Sequence, residues 1–514
     1  MFDPRHNVIH TADGRLAPKS STSEADVRRI VCEALAAGAA SGIVLNFHGG
    51  LVSESAARET AELRLYPLYA DRGQAYPIFF VWESGLFEAP FNNLREIAGE
   101  PLFQEFVKKV GEWVTRHLHP GVNAARAAAV GETPAQLRAD LDAWFRGGTA
   151  RRKLPPRLKH FRAIHKGPGG LALAMAKPAP DRDALAREIE AGILRDARFK
   201  RVVETVHAGM HPQHRALRMA RSGGTRVASN SLIDKEAAAR LFPLGRKPTR
   251  GFAVSGWLRV AKVVAGIVLR VLRRVRTGRD HGKYVTLVEE VLRELYIGKV
   301  GRTVWWDRMK GDTADAFKAG AEYAGTVFLT ELHDRLQGAS APRITLVGHS
   351  TGAIYIANFL RAAAQWVPDV RFDLILEAPA ATHDFFARVI EEHGSRIANV
   401  RVFGMGEARE ADDVLVPVIY PASLLYFVSG LLEDEPDQPL LGMERYLANA
   451  TYDAADFPNV DACRRFFAGF ADAWIWSPSA RPAPLGSDGK HHQDFDDADA
   501  ATLASVESIL LHGY

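Results

Sequence analysis

The sequence predicts an α/β fold: a mainly parallel β-sheet flanked by helices, with a large, mainly helical insertion placed before one of the later strands. Three observations predict it. Short apolar runs such as "SGIVLNF", "YPIFFVW", "RITLVG" and "FDLILE" have no polar side. Strands buried on both faces have this composition, and such strands belong to parallel sheets. Helical patterns separate the runs, and a strand–helix–strand alternation returns each strand parallel to its predecessor. Between residues 86 and 310 the alternation is lost, and it then resumes.

In chain order, residues 1–22 read as a flexible N-terminal segment, and a helix follows over about 23–38. "SGIVLNFHGG" is the first buried strand and ends in a glycine turn. Ser53 caps the next helix with Glu54 in its first turn, and "YPIFFVWESG" is the second strand. Residues 23–85 therefore form the first part of the core. Residues 86–310 are the insertion, whose connections "RRKLPPRLKHFRAIHKGPGG" and "RSGGTRVASN" are basic or rich in glycine. The second part of the core, 311–514, opens with a helix over about 313–337 led by Asp312. The strand "RITLVGH", a helix from 352, the strand "FDLILEAPA", a helix near 384–394 and the strand "NVRVFGM" follow. Helices near 421–433 and 458–471, a short strand "AWIWS" and a last helix from about 500 complete it.

The 514 residues carry a formal charge of +4, a small excess that by itself gives no clustered basic face, so no nucleic-acid partner is expected. Only Cys32 and Cys463 are present, which argues against a disulfide scaffold and fits a reducing compartment. The start of the chain shows no apolar stretch of the signal-peptide kind, and no segment reaches the roughly 18 apolar residues of a spanning helix. A cytoplasmic setting is expected, with or without peripheral contact at a membrane. Oligomeric state is not legible.

"ITLVGHSTGAIYIANFL" places Ser350 in a G-x-S-x-G pattern with a strand before it and a helix after it, the context in which that pattern marks a nucleophile. Gly348 and Gly352 leave room for a strained turn, and the Thr351 N–H at the helix start would donate to an oxyanion. A plain glycine turn would carry the same five residues, so other parts must decide. A second donor is expected in the loop after an earlier strand, where "NFHGGLV" offers Gly50 or Leu51. His48 in that loop reads as a structural brace. A base is expected in "DGKHHQDFDDADA", at His491 or His492, and an acid in "GEAREADDVLVPV", with Asp412 first, then Asp413 and Glu407. The earlier strand offers Glu377 or Asp384 instead. The histidines lack metal-ligand spacing, and neither a metal nor an organic cofactor is expected.

These parts resemble the α/β-hydrolase superfamily: "FHGG" its oxyanion loop, "GHSTG" its nucleophile elbow, and "HHQDF" its histidine loop, over roughly residues 40–85 and 311–514. The resemblance implies a serine hydrolase of esterase or lipase type, cleaving a carboxylic ester through an acyl-enzyme with Ser350, Asp412 and His492 as triad. It favours His492 over His491, because an aromatic–acid pair follows a short turn later. Two departures stand out. The insertion precedes the nucleophile strand, and Ala378-Pro379-Ala380 lacks the aspartate that some lipases carry at that point, which supports a later acid.

Within the insertion, "GWLRVAKVVAGIVLRVLRRV" sets Arg259, Lys262, Arg270 and Arg273 on one helical stripe beside a broad apolar face. Such a helix could rest on an anionic membrane through 256–276, cover an acyl-binding cleft, or pack inside the insertion with its basic stripe solvated. The alternative function is accordingly an acyltransferase, or a non-catalytic protein acting through this insertion on membranes or a protein partner.

Overall fold

The computed structural model describes residues 1–50, 52–82, 88–118, 133–147, 153–160, 181–210, 232–242, 254–297 and 306–514. One sheet of seven strands runs in the order β1-β3-β2-β4-β5-β6-β7, with every neighbouring pair parallel. The strands are β1 Val8–Thr11, β2 Ile43–Phe47, β3 Tyr76–Trp82, β4 Ile344–His349, β5 Phe372–Glu377, β6 Ile397–Met405 and β7 Trp474–Ser477. All residues of β2, β4 and β5 are buried, as their unbroken apolar composition requires. The expected strands are thus present within a residue or two.

Strand order fixes where a site can form. β2 lies between β3 and β4, with Phe47 opposite Phe80 on one side and Gly348 on the other. From β2 the chain moves to β3, whereas from β4 it moves to β5 on the opposite side. The loops leaving the C-terminal ends of β2 and β4 therefore part in opposite directions. In open parallel sheets a crevice for ligands opens at such a switch point.

Three expectations are corrected. Residues 1–22 are not a flexible segment, since Pro4–Asn7 is a helical turn and β1 is an edge strand paired with β3. The helix expected over 313–337 is two, Arg308–Asp315 and Ala324–Leu336, separated at Gly320, whose φ of 138° no side chain readily adopts. The insertion also has a second piece. The chain divides into one compact unit of Met1–Glu88, Thr303–Asp413 and Ser423–Tyr514 and another of Ala89–Arg302 with Val414–Ala422.

The second unit, taken by itself, is helical. Its helix Val254–Arg276 packs against Arg182–Arg195, Pro101–Leu118 and Lys283–Leu295. Val260, Val264, Ile267, Val268, Val271 and Leu272 are buried, so most of the apolar face packs inside the unit, one of the three arrangements open to it, while Leu258 is exposed. Arg270 pairs with Glu290 at 2.7 Å and Glu294 at 2.8 Å. Deeper in, Glu289 pairs with Arg274 at 2.7 Å and His281 at 2.8 Å and accepts the Tyr420 hydroxyl at 2.5 Å. Burial works to raise the Glu289 carboxyl, but the His281 and Arg274 charges outweigh it and hold the group at about 2. Most of "RRKLPPRLKHFRAIHKGPGG" and all of "RSGGTRVASN" lie outside the described residues. Among the described residues no helix is long and apolar enough to cross a membrane.

Candidate active site at the C-terminal edge of the sheet

β4 ends at His349 and the helix Gly352–Trp366 begins three residues later, which forces Ser350 into the left-handed region at φ 52°. A side chain there costs on the order of 1–3 kcal/mol and persists only when the surroundings over-determine it. Here the Ser350 N–H donates to the Glu377 carbonyl at 2.8 Å, and the Ser350 carbonyl accepts from the Ala380 N–H at 3.0 Å. A Cβ on Gly348 would sit 2.6 Å from Ile356 Cδ1 and 2.8 Å from the Gly352 backbone. One on Gly352 would lie 2.0 Å from the Phe47 carbonyl oxygen, in the middle of the sheet. Gly352→Ala should therefore destabilise the fold by about 1–3 kcal/mol or more, because strand β2 cannot yield, and a lowered urea midpoint would register it.

The loop after β2 reaches this elbow. The Gly50 N–H donates to the Thr351 hydroxyl at 3.1 Å, and that hydroxyl donates onward to Met309 Sδ at 3.4 Å. This corrects the expectation for Gly50, whose amide is turned onto a side chain rather than towards an open oxyanion position. Leu51 lies outside the described residues. The Thr351 N–H has no hydrogen-bond partner among the described residues and stands at the start of the helix, where the expected donor belongs. His48 is a brace. Its Nε2 accepts the Trp82 N–H at 3.1 Å, which leaves Nδ1–H to donate to the Gly49 carbonyl at 2.7 Å, and its ring stacks on Trp82. Burial lowers this imidazole to about 4, so it stays neutral.

The aspartate and histidine that pair are not the two expected first. His491 Nδ1 donates to Asp413 Oδ1 at 2.8 Å, while Asp413 Oδ2 accepts the backbone N–H of His492 at 3.2 Å. Neither ring nitrogen of His492 has a hydrogen-bond partner among the described residues, so the expected Asp412–His492 pair is not formed. That ring is buried against His349 at 5.0 Å between centroids, and burial holds it well below the usual imidazole range, with the His349 charge adding to the shift. The Asp412 N–H closes a turn on the Arg409 carbonyl at 3.0 Å. Glu407 accepts the Tyr426 hydroxyl and lies 3.7 Å from Arg445, so it is committed elsewhere. Asp384 accepts from Gln438 and Asn459.

Three sets of contacts locate the histidine loop. Arg409 donates to the Gly489 carbonyl at 2.8 Å and to Asp488 at 2.5 Å, one helical turn before Asp413. Asp494 accepts the N–H groups of Lys490 and His491 at 2.8 and 2.9 Å. His349 Nε2–H donates to the His492 carbonyl at 3.0 Å, and its Nδ1 lies 3.3 Å from an Asp496 oxygen. The neighbour of Ser350 thus holds the neighbour of His491. The Ser350 hydroxyl itself makes no hydrogen bond among the described residues, and neither does His491 Nε2. Sequence reasoning missed the His349 contact, the Thr351 hydroxyl and Met309.

Beneath the elbow, the buried Glu377 carboxyl has one oxygen without a hydrogen-bond partner. Burial raises it well above the usual carboxyl range, and the nearby Asp496 adds to this. A carboxyl raised on folding adds stability that is fully present below its unfolded value and is lost as pH rises through its folded value. Glu377→Gln keeps the shape of the protonated acid and cannot ionise. Its unfolding free energy from urea titration should match wild type near pH 4 and exceed it increasingly towards pH 9, by a margin on the order of 1–3 kcal/mol. An equal difference at both ends would show that the carboxyl does not titrate.

A cavity of about 330 Å³ adjoins this layer, lined by His48, Phe79, Phe80, His349, Asp496 and Asp497. Set against known proteins, the chain matches no family model, no curated protein and no solved structure.

Proposed function

We propose that the chain is a serine hydrolase of the α/β-hydrolase kind, acting on a carboxylic ester with Ser350 as nucleophile, His491 as base and Asp413 as the acid that orients it. The observation that carries this reading is a continuous set of contacts. Ser350 stands in a strained elbow at the sheet's switch point, its neighbour His349 holds the His492 carbonyl, and Asp413 holds both the His491 ring and the His492 N–H.

The chemistry follows from the tautomer. With Nδ1–H committed to Asp413, the lone pair of His491 is on Nε2, the nitrogen that must take the serine proton. Closure of Nε2 onto Ser350 Oγ is the step that a bound ester would complete, since catalytic hydrogen bonds often tighten only in the complex. Attack of Oγ on the acyl carbonyl gives a tetrahedral oxyanion, which the Thr351 N–H and the helix N-terminus favour. Collapse expels the alcohol, which takes the proton from His491. Water, activated by the same imidazole, then cleaves the acyl-enzyme.

A fluorophosphonate probe tests the assignment. Labelling of wild type and its absence in Ser350→Ala, with matching circular dichroism, is the expected result. Folded wild type that resists the probe, or Ser350→Ala that still takes it, would overturn the reading.

A further inference from the structure

A larger cleft, of about 570 Å³, is lined in part by the helix Gly352–Trp366. Ile354, Asn358 and Arg361 line it at the i, i+4, i+7 positions of that helix, and Arg388 lines it from the helix His383–His393 after β5. Lys310 enters from the helix Arg308–Asp315, next to Met309, the residue that receives the Thr351 hydroxyl.

Three cations, Lys310, Arg361 and Arg388, and three acids, Asp384, Glu433 and Asp434, line this cleft, but they are not equally engaged. Glu433 accepts the Trp306 indole N–H at 2.6 Å and faces Lys310 at 3.3 Å. Both oxygens of Asp384 are taken by side-chain amides, Gln438 at 2.8 Å and Asn459 at 2.9 Å. Arg361 and Arg388 are exposed, and neither has a hydrogen bond or ion pair with a described residue. Two guanidinium groups from separate rigid helices therefore project into one cleft with their donors uncommitted. Planar, forked donors of this kind suit a phosphate or carboxylate, which they can bind through paired hydrogen bonds. The volume suits a small molecule, and Ile354, Ala314 and Phe385 supply apolar wall for its carbon body.

We propose that this cleft recognises the phosphate or carboxylate group of a small molecule through Arg361 and Arg388. Resting on the hydrolase reading, the ester cleaved at Ser350 carries that group. Ile354 on its wall stands one helical turn beyond Ser350, and Lys310 follows Met309 in the chain, so an acid-bearing ester would reach from this cleft to the serine.

The test separates binding from turnover. Calorimetric titration of Ser350→Ala protein with phenyl phosphate in one arm and glutarate in the other should give saturable binding in at least one. The stronger arm identifies the anion. Adding Arg361→Gln and Arg388→Gln should weaken that binding at least tenfold with no loss of thermal stability, both side chains being exposed. No saturable binding in either arm, or binding unchanged by the two substitutions, would overturn the proposal. In otherwise wild-type protein, the same two substitutions should raise KM at least tenfold for the 4-nitrophenyl monoester of glutaric acid and leave 4-nitrophenyl butyrate unaffected. An equal change for both esters would overturn the substrate assignment. Anion binding that depends on the arginines without turnover of either ester would sink the hydrolase reading and leave the site standing.

Discussion

Ser350→Ala should lower kcat/KM for an ester substrate by about 10⁴- to 10⁶-fold while leaving stability within about 0.5 kcal/mol of wild type. The lower figure corresponds to about 5.5 kcal/mol of lost transition-state stabilisation. The two parts of this expectation have separate causes. The elbow is held by backbone hydrogen bonds to Glu377 and Ala380 and by the contacts that exclude a side chain at Gly348 and Gly352. None of these involves the serine hydroxyl. Alanine at φ 52° bears the same backbone strain as serine, so the fold should not register the change. On the proposed mechanism the attacking oxygen disappears, and residual rate should come only from binding and from the Thr351 amide. Burst kinetics with a chromogenic ester would measure both the acyl-enzyme and its loss. Hydrolysis that persists at the wild-type rate would place the chemistry elsewhere in the chain.

Sequence legibility followed composition closely in the sheet and failed where direction mattered. β2, β4 and β5 could be located because a strand buried on both faces has no room for polar residues. β1, "VIHT", contains His10 and Thr11, which reads as polar surface, yet all four residues are buried. Its burial comes from pairing with β3, a tertiary fact with no local signature. The elbow at Ser350 was legible because strand, glycine spacing and helix all had to coincide. The same reasoning assigned Gly50 a backbone role without foreseeing that the Thr351 side chain would occupy its amide.

The insertion shows a related limit. A broad apolar helix face says that something covers it, and here neighbouring helices of the same unit do. Val260, Val264, Ile267, Val268, Val271 and Leu272 are buried and Arg270 is paired, which is the packed arrangement among those the sequence left open. Which aspartate pairs with which histidine was harder still to read, since the choice lay between adjacent residues in "DD" and "HH". A periodic clue was available. Asp413 follows Arg409 by one helical turn, and its N–H bonds to the Arg409 carbonyl at 2.8 Å. Both side chains thus face one loop, Arg409 at Gly489 and Asp413 at His491.

That arrangement makes the second large prediction a comparison of four variants. Asp413→Asn should reduce kcat by about 10⁴-fold, with the fold intact. The reason lies in the two groups that the carboxylate serves. The His492 N–H requires an acceptor, so the amide oxygen of asparagine should take that contact and turn its NH₂ towards His491 Nδ1. An NH₂ facing Nδ1 selects the tautomer with the proton on Nε2, which then cannot accept the serine proton. His491→Ala should cost at least as much, because it removes the proposed base itself. Asp412→Asn, one residue away, should change kcat by no more than about threefold, less than the roughly 10²-fold floor for losing a general acid–base group. His492→Ala should act on stability, losing about 1–3 kcal/mol as a buried ring is removed beside His349. If Asp412→Asn and His492→Ala proved the inactive pair and Asp413→Asn stayed active, the Asp413–His491 contact would be structural and the base assignment reversed. A kcat and urea-midpoint measurement on all four variants decides between the two pairs, because only the catalytic pair should lose rate without losing stability.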